Sequence, residues 1–165
     1  MPVKQQLQYE LFADYFQFYL QDEAATGDLS ESWTRDAIAR LLAIAAGAVG
    51  VGTARNMPVP VVVEVHDSIP ADSNLEEWDQ VNECSLEVPS GRIAIAGCTD
   101  YFPDAARIEV SPGNYRLRLY YGNLNSVADP NALEGEDHYK IEMWQAPVAP
   151  LQVLKQREVS SRASS

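Results

Sequence analysis

The sequence predicts a mainly β protein: an antiparallel β-sandwich or flattened barrel of roughly eight to ten short strands, with one helix over about residues 34–46 covering it. Three observations carry this. Apolar residues alternate with period two along most of the chain. Pro/Gly turn clusters interrupt the alternation at hairpin spacing. Only one stretch repeats its apolar residues at helical spacing.

Taken in order, alternation begins at Phe16, Phe18 and Leu20 and recurs at Val59, Val61, Val63 and Val65. It continues through Cys84, Leu86 and Val88, Ile93 and Ile95, Ile108 and Val110. The last runs are Tyr115, Leu117, Leu119 and Tyr121, then Tyr139, Ile141 and Met143. Asn82, Ser85, Glu87, Arg107, Glu109, Arg116 and Arg118 supply the polar fringe, so each sheet is expected to have one buried and one wet face. Val88-Pro-Ser-Gly-Arg92 and Ser111-Pro-Gly-Asn114 read as hairpin turns. Pro58 and Pro60 place the beginning of the valine strand at a sheet edge or at a strand start. The helix is read from Ile38, Leu41, Leu42 and Ala45, one apolar stripe. Thr34 is its N-cap, Asp36 sits at the positive end, Trp33 and Ile38 form a hydrophobic staple, and Gly47 is the stop. After Gly47, the alternating Val49, Val51 and Thr53 read as a strand. Residues 122–137 form the longest break, of a length that is often functional. Residues 1–155 form one domain in this reading, and the polar, serine-rich 156–165 form a tail.

Composition narrows the function. The 165 residues hold 46% hydrophobic and 22% charged side chains, globular values. No apolar run approaches the ~20 residues of a membrane span, and nothing at the N-terminus reads as a signal peptide, so a cytoplasmic protein is expected. Twelve basic against twenty-four acidic groups give a net charge of −12. By segment the nets are −4 for residues 1–50, −8 for 51–110 and 0 for 111–165. That balance argues against nucleic acid and anionic membrane as direct partners and leaves a basic protein open; solubility alone would also account for it.

No catalytic motif stands out, so no enzyme and no cofactor are expected. Gly47-Ala-Val-Gly-Val-Gly52 precedes a strand and lacks the Lys-Ser/Thr of a phosphate loop. Glu64 and His66 share one strand face and, with His138, are weak candidates for a metal site, though no ligand spacing supports one. Hairpin arithmetic sets Cys84 opposite Ala96 or Gly97, off the register a disulfide to Cys98 needs, so two free thiols are favoured. The most pointed feature is acid mixed with aromatics: Asp72, Glu76, Glu77, Trp78, Asp79 and Glu83, then Asp100, Tyr101, Phe102 and Asp104. On a strand pair 80–88 and 92–98 these gather at one end. They form a partner-binding patch with aromatic anchors, or else the aromatics plug the core and the acids are simply solvated.

The order of motifs resembles the competence protein J family of bacterial nuclease inhibitors. It is carried by Asp14-Tyr-Phe-Gln-Phe18, Trp33-Thr34 with its helix, Gly50-Val-Gly-Thr-Ala-Arg55, Trp78 through Gly91, and Ile108-Glu-Val-Ser-Pro-Gly-Asn-Tyr-Arg116. The likeness covers residues 14–120 and transfers no contact residue. It implies a small β-rich cytoplasmic protein that binds and silences a nuclease, as an immunity protein does. The alternative is a small-ligand- or metal-binding sandwich.

Overall fold

The computed structural model describes residues 3–25, 29–71, 75–97, 102–127, 129, 131 and 135–157. Eleven strands and one α-helix are present among them. The strands are β1 (Val3–Phe12), β2 (Gln17–Asp22), β3 (Leu42–Ala45), β4 (Ala48–Gly52), β5 (Pro58–His66), β6 (Gln80–Val88), β7 (Arg92–Gly97), β8 (Ala106–Glu109), β9 (Gly113–Gly122), β10 (His138–Gln145) and β11 (Gln152–Lys155); α1 is Arg35–Arg40. They form two sheets, β1-β5-β10-β9-β6-β11 and β3-β4-β2-β7-β8. Both sheets end on edge strands, so the architecture is a sandwich and not a closed barrel.

The inner face is the face the valine and leucine alternation predicts. Val59, Val61, Val63, Leu117, Leu119, Ile141 and Met143 from one sheet meet Phe18, Leu20, Val49, Ile93, Ile95 and Ile108 from the other in one core. Burying a side chain of this size contributes about 1.5–3 kcal/mol. Tyr139 centres an aromatic contact, its ring edge-on to Phe18 at 6.2 Å and to Tyr121 at 6.1 Å. Pro58 and Pro60 prove to be a strand start: β10 pairs with β5 only from Val61 onward, so neither missing N–H breaks that ladder.

Four expectations change. The sheets are not purely antiparallel, because β5 and β10 run parallel; these strands are far apart in sequence, so no tight turn constrains them. The two turns read as hairpins carry the chain between sheets. After Val88 it passes from β6, which pairs with β9 and β11, to β7, which pairs with β2 and β8. After Glu109 it crosses back from β8 to β9. The arithmetic that paired Cys84 near Gly97 therefore has no basis; Cys84 is a buried free thiol, and Cys98 lies outside the described residues. The helix is shorter than 34–46. It starts as predicted, Thr34 accepting from Ala37 N at 3.2 Å, but it ends at Arg40 with Leu41 left-handed at φ 63°. Leu42 to Ala45 alternate as well as they spiral, and pairing with β4 through Gly47 (φ +71°) takes them into a strand. Finally, the centre of the outer face of the six-stranded sheet is not wet, Arg116 and Arg118 being 6% and 4% exposed, although Gln8, Glu10 and Glu87 on the same face are exposed as expected.

Candidate functional site

One end of the sandwich carries a groove of about 570 Å³. Its walls come from the crossing between β1 and β2, from α1 and from the turn after β9. Tyr15 and Phe16, both left-handed at φ 61° and 62°, make the crossing. They are held by Tyr15 N donating to Asn56 Oδ1 at 2.8 Å, Phe16 N to Ala13 O at 3.0 Å and Thr53 N to Phe16 O at 2.9 Å. Trp33 lies along β4, its Nε1 donating to Gln17 Oε1 at 2.9 Å. Glycine at position 50 permits that approach, since a Cβ there would sit 3.0 Å from Trp33 Cζ2. Leu41, Gly52, Ala54 and Leu124 complete the apolar lining.

Two features distinguish this end. Tyr15, Ile38 and Phe16 are 69%, 56% and 42% exposed, whereas Phe18, Tyr115, Tyr120, Tyr121 and Tyr139 are buried in the sandwich. Of the four left-handed non-glycine residues among those described, Tyr15, Phe16 and Leu41 line the groove, and the fourth, Asn123, directly precedes its lining residue Leu124. Such backbone costs about 1–2 kcal/mol per residue for side chains with a Cβ, and strain of this kind collects at binding sites. The sequence signal was present in Asp14-Tyr-Phe, but an aromatic pair beside a strand reads as strand until the positive φ is seen.

The groove continues past Leu124, Asn125 and Arg157 into a smaller cleft lined by Asp79 and Lys155. This brings it to the acidic segment. Glu76 and Glu77 are exposed on the turn Leu75–Glu77. Asp79 Oδ2 accepts from Leu124 N at 2.7 Å and so fixes the turn that closes the groove. Trp78 is half-buried, its ring 5.0 Å from both Tyr120 and His138. Asp104 is exposed on the short turn Phe102–Asp104. Asp72, Asp100 and Tyr101, and the side chain of Phe102, lie outside the described residues. Glu31 and Asp36 are also exposed at this end, as is Arg35. Arg157 donates to Ala39 O at 3.2 Å and Ile38 O at 3.4 Å, and Lys155 Nζ to Leu75 O at 2.9 Å. Burial draws the Arg157 guanidinium below its usual range.

Glu83 is not part of this acidic surface. It is 9% exposed and lies on the outer face of the six-stranded sheet, where Arg116 Nε and Arg118 Nε donate to it at 3.0 and 2.7 Å. The same face holds Glu142, which accepts from Tyr120 Oη at 2.7 Å and has Lys140 Nζ at 3.6 Å. Glu64 accepts from Gln6 Nε2 at 3.0 Å, with Lys140 Nζ at 3.7 Å. His66 Nε2 stands 3.1 Å from Glu64 and 3.9 Å from Glu142. The metal candidates are thus rearranged. Glu64 and His66 do meet, but their third neighbour is Glu142, and the three ligand atoms lie within 4.8 Å of one another. His138 aligns with the far end of β5 through the parallel register, about 20 Å away at ~3.3 Å per residue. Glu142 was missed because parallel pairing of distant strands leaves no mark in sequence spacing. The carboxylates already have Lys140 and Arg118 beside them, and no protein group bonds His66 Nδ1; a metal there would have to displace the lysine.

The break at 122–137 is anchored from its end. Asp137, fully buried, receives Arg55 Nε at 2.7 Å and Tyr139 Oη at 2.7 Å.

The chain is an open two-sheet sandwich with an exposed apolar groove at one end. Among solved structures its fold is that of ComJ, the inhibitor of the DNA-degrading activity of NucA from Bacillus subtilis. The TM-score is 0.63 at 19% identity, over 88% of this chain and 98% of that one. The crocagin biosynthetic gene J protein is also similar, with a TM-score of 0.52 at 15% identity, over 86% and 96% of the two chains. No protein-family model and no curated protein matches the sequence. Among the described residues no helix is long and apolar enough to cross a membrane.

Proposed function

We propose that the protein is a stoichiometric, immunity-like inhibitor of a basic DNA-degrading enzyme, acting in the cytoplasm as a binding protein without a cofactor. The observation that carries this reading is the fold shared with ComJ across nearly the whole length of both chains. The net charge of −12 supports it, because an acidic protein competes with nucleic acid for a basic cleft and is steered toward it. The contact surface in this reading is the acidic and aromatic set Asp72, Glu76, Glu77, Trp78, Asp79, Asp100, Tyr101, Phe102 and Asp104. Glu83 is left out because its charge is taken up by two arginines.

The test is titration of the protein into NucA degrading DNA. Inhibition that saturates at one protein per enzyme and weakens as salt rises supports the reading. Undiminished DNA degradation at an excess of the protein refutes it. The double charge reversal Glu76→Lys/Glu77→Lys is expected to slow association about tenfold at low salt, with dissociation little changed. Stopped-flow association rates check this, and unchanged rates would move the contact surface elsewhere.

A further inference from the structure

We infer that the end groove is the anchor pocket of this inhibitor, receiving one large apolar side chain that the nuclease projects from a basic segment. The inference rests on the reading just given and adds where the partner is gripped and by what chemistry.

Three observations converge. The groove is floored by Trp33, Leu41, Ala54 and Leu124 and rimmed by Tyr15, Phe16 and Ile38, large apolar groups left in water. Anchor residues at protein interfaces are aromatic or aliphatic groups seated in such a desolvated pocket, ringed by contacts of small energy. The rim is also built at a cost. Tyr15 and Phe16 hold left-handed backbone side by side, and a sequence selected for folding alone would place glycine or asparagine there. Lastly, the ground around the pocket suits a basic segment. Glu31, Asp36, Glu76 and Glu77 are exposed beside it, while Lys155 and Arg157 are turned onto backbone carbonyls. Among the described residues at this end, Arg35 is the exposed cation.

Two variants test the pocket against NucA as the probe. Ile38→Asp replaces an exposed helix residue, and Phe16→Asn removes the ring while keeping a residue that tolerates positive φ. Ile69→Asp is the control, 62% exposed beyond the opposite end of β5. Ile38→Asp adds negative charge, so simple steering would tighten it; a loss can only report the apolar contact. The expected result is inhibition at least about tenfold weaker for both variants, through faster dissociation, with Ile69→Asp equal to the parent. Parent-like inhibition by correctly folded Ile38→Asp or Phe16→Asn overturns the anchor pocket and leaves the nuclease reading standing. Failure of the unaltered protein to inhibit NucA removes the nuclease reading, and this inference with it. Should Ile38→Asp fail to fold, as judged by its thermal melt, Phe16→Asn decides alone.

Discussion

The end groove and the outer face of the six-stranded sheet break the usual pattern of apolar inside and polar outside, in opposite directions. The groove leaves Tyr15, Phe16 and Ile38 in water. The sheet face withdraws Glu64, Glu83, Glu142, Arg116, Arg118 and Lys140 from it, together with His66. Glu64, Glu83 and Glu142 each have a cation within 4 Å, three carboxylates beside three cations, while Glu10 and Glu87 at the margins of the face are exposed. Trp144 stacks on Arg118 at 5.1 Å, and the backbone of Ala149 and Pro150 accepts from Arg116. The centre of the face is largely paired within itself, apart from His66 Nδ1, which no protein group bonds. The groove differs: Tyr15, Phe16 and Ile38 stay exposed, and its backbone is held where side chains are disfavoured. A buried charge network is thus weak grounds for assigning function, and an uncovered apolar rim on strained backbone is stronger.

The largest effect is expected from removing one member of the paired sheet face. Glu83→Ala leaves Arg116 and Arg118 facing each other without the carboxylate that joins them. A buried ion pair broken on one side costs about 3–5 kcal/mol, because the remaining charge stays desolvated. Urea unfolding should show that loss. Inhibition of the target by the fraction still folded should be unchanged, since Glu83 does not reach the groove. A cost under about 1 kcal/mol would mean that water enters this face and that it is an ordinary salt-bridged surface.

Alkali sharpens the contrast from the inner side of the same sheet. Burial pushes the Cys84 thiol from its ordinary 9.0 up to about 12, and raises Tyr121 and Tyr139 as well. In each case the folded state keeps a proton that the unfolded chain releases. For Cys84 the stability this provides is complete below pH 9.0 and is lost as pH climbs toward 12, whereas for the two tyrosines the loss begins only above their ordinary 10.0. The slope is at most about 1.4 kcal/mol per pH unit for each group. Unfolding midpoints should therefore fall from pH 9 upward, with Cys84→Ala flattening the first part of the decline. Groove variants should leave the slope as it is.

Where sequence reading succeeded and where it failed follows the same division. Period-two runs such as Tyr115–Tyr121 and Val59–Val65 located the strands, because alternation is a local consequence of pleat geometry. The strand Val3–Phe12 escaped notice behind its glutamines, although Leu7, Tyr9 and Leu11 carry the same alternation. What was not legible was pairing. Pro89–Gly91 and Ser111–Gly113 look alike whether they join two strands of one sheet or pass between sheets, and the choice set the neighbours of Cys84, Glu83 and Arg118. The acidic tract could be read as a cluster, but not that Glu83 turns to the sheet face while Glu76 and Glu77 stay in water. The groove was out of reach for a related reason: Tyr15, Trp33, Ile38 and Leu124 meet only after the fold has closed.

The smallest expected effect is the most discriminating for the groove. Tyr15 is 69% exposed and left-handed at φ 61°, so its backbone is paid for without compensation from burial. Tyr15→Asn places there the residue type that best tolerates this conformation after glycine, and leaves the Tyr15 amide free to keep its bond to Asn56. The folded state should gain about 0.5–1 kcal/mol, part of the left-handed penalty, visible as a rise of a few degrees in the melting temperature. The same change removes an aromatic from the rim, so inhibition should weaken while stability rises. Opposite movement of the two quantities is the mark of a residue retained for binding. If both rise or both fall, Tyr15 supports the fold, and the groove loses one of its rim residues as a binding group.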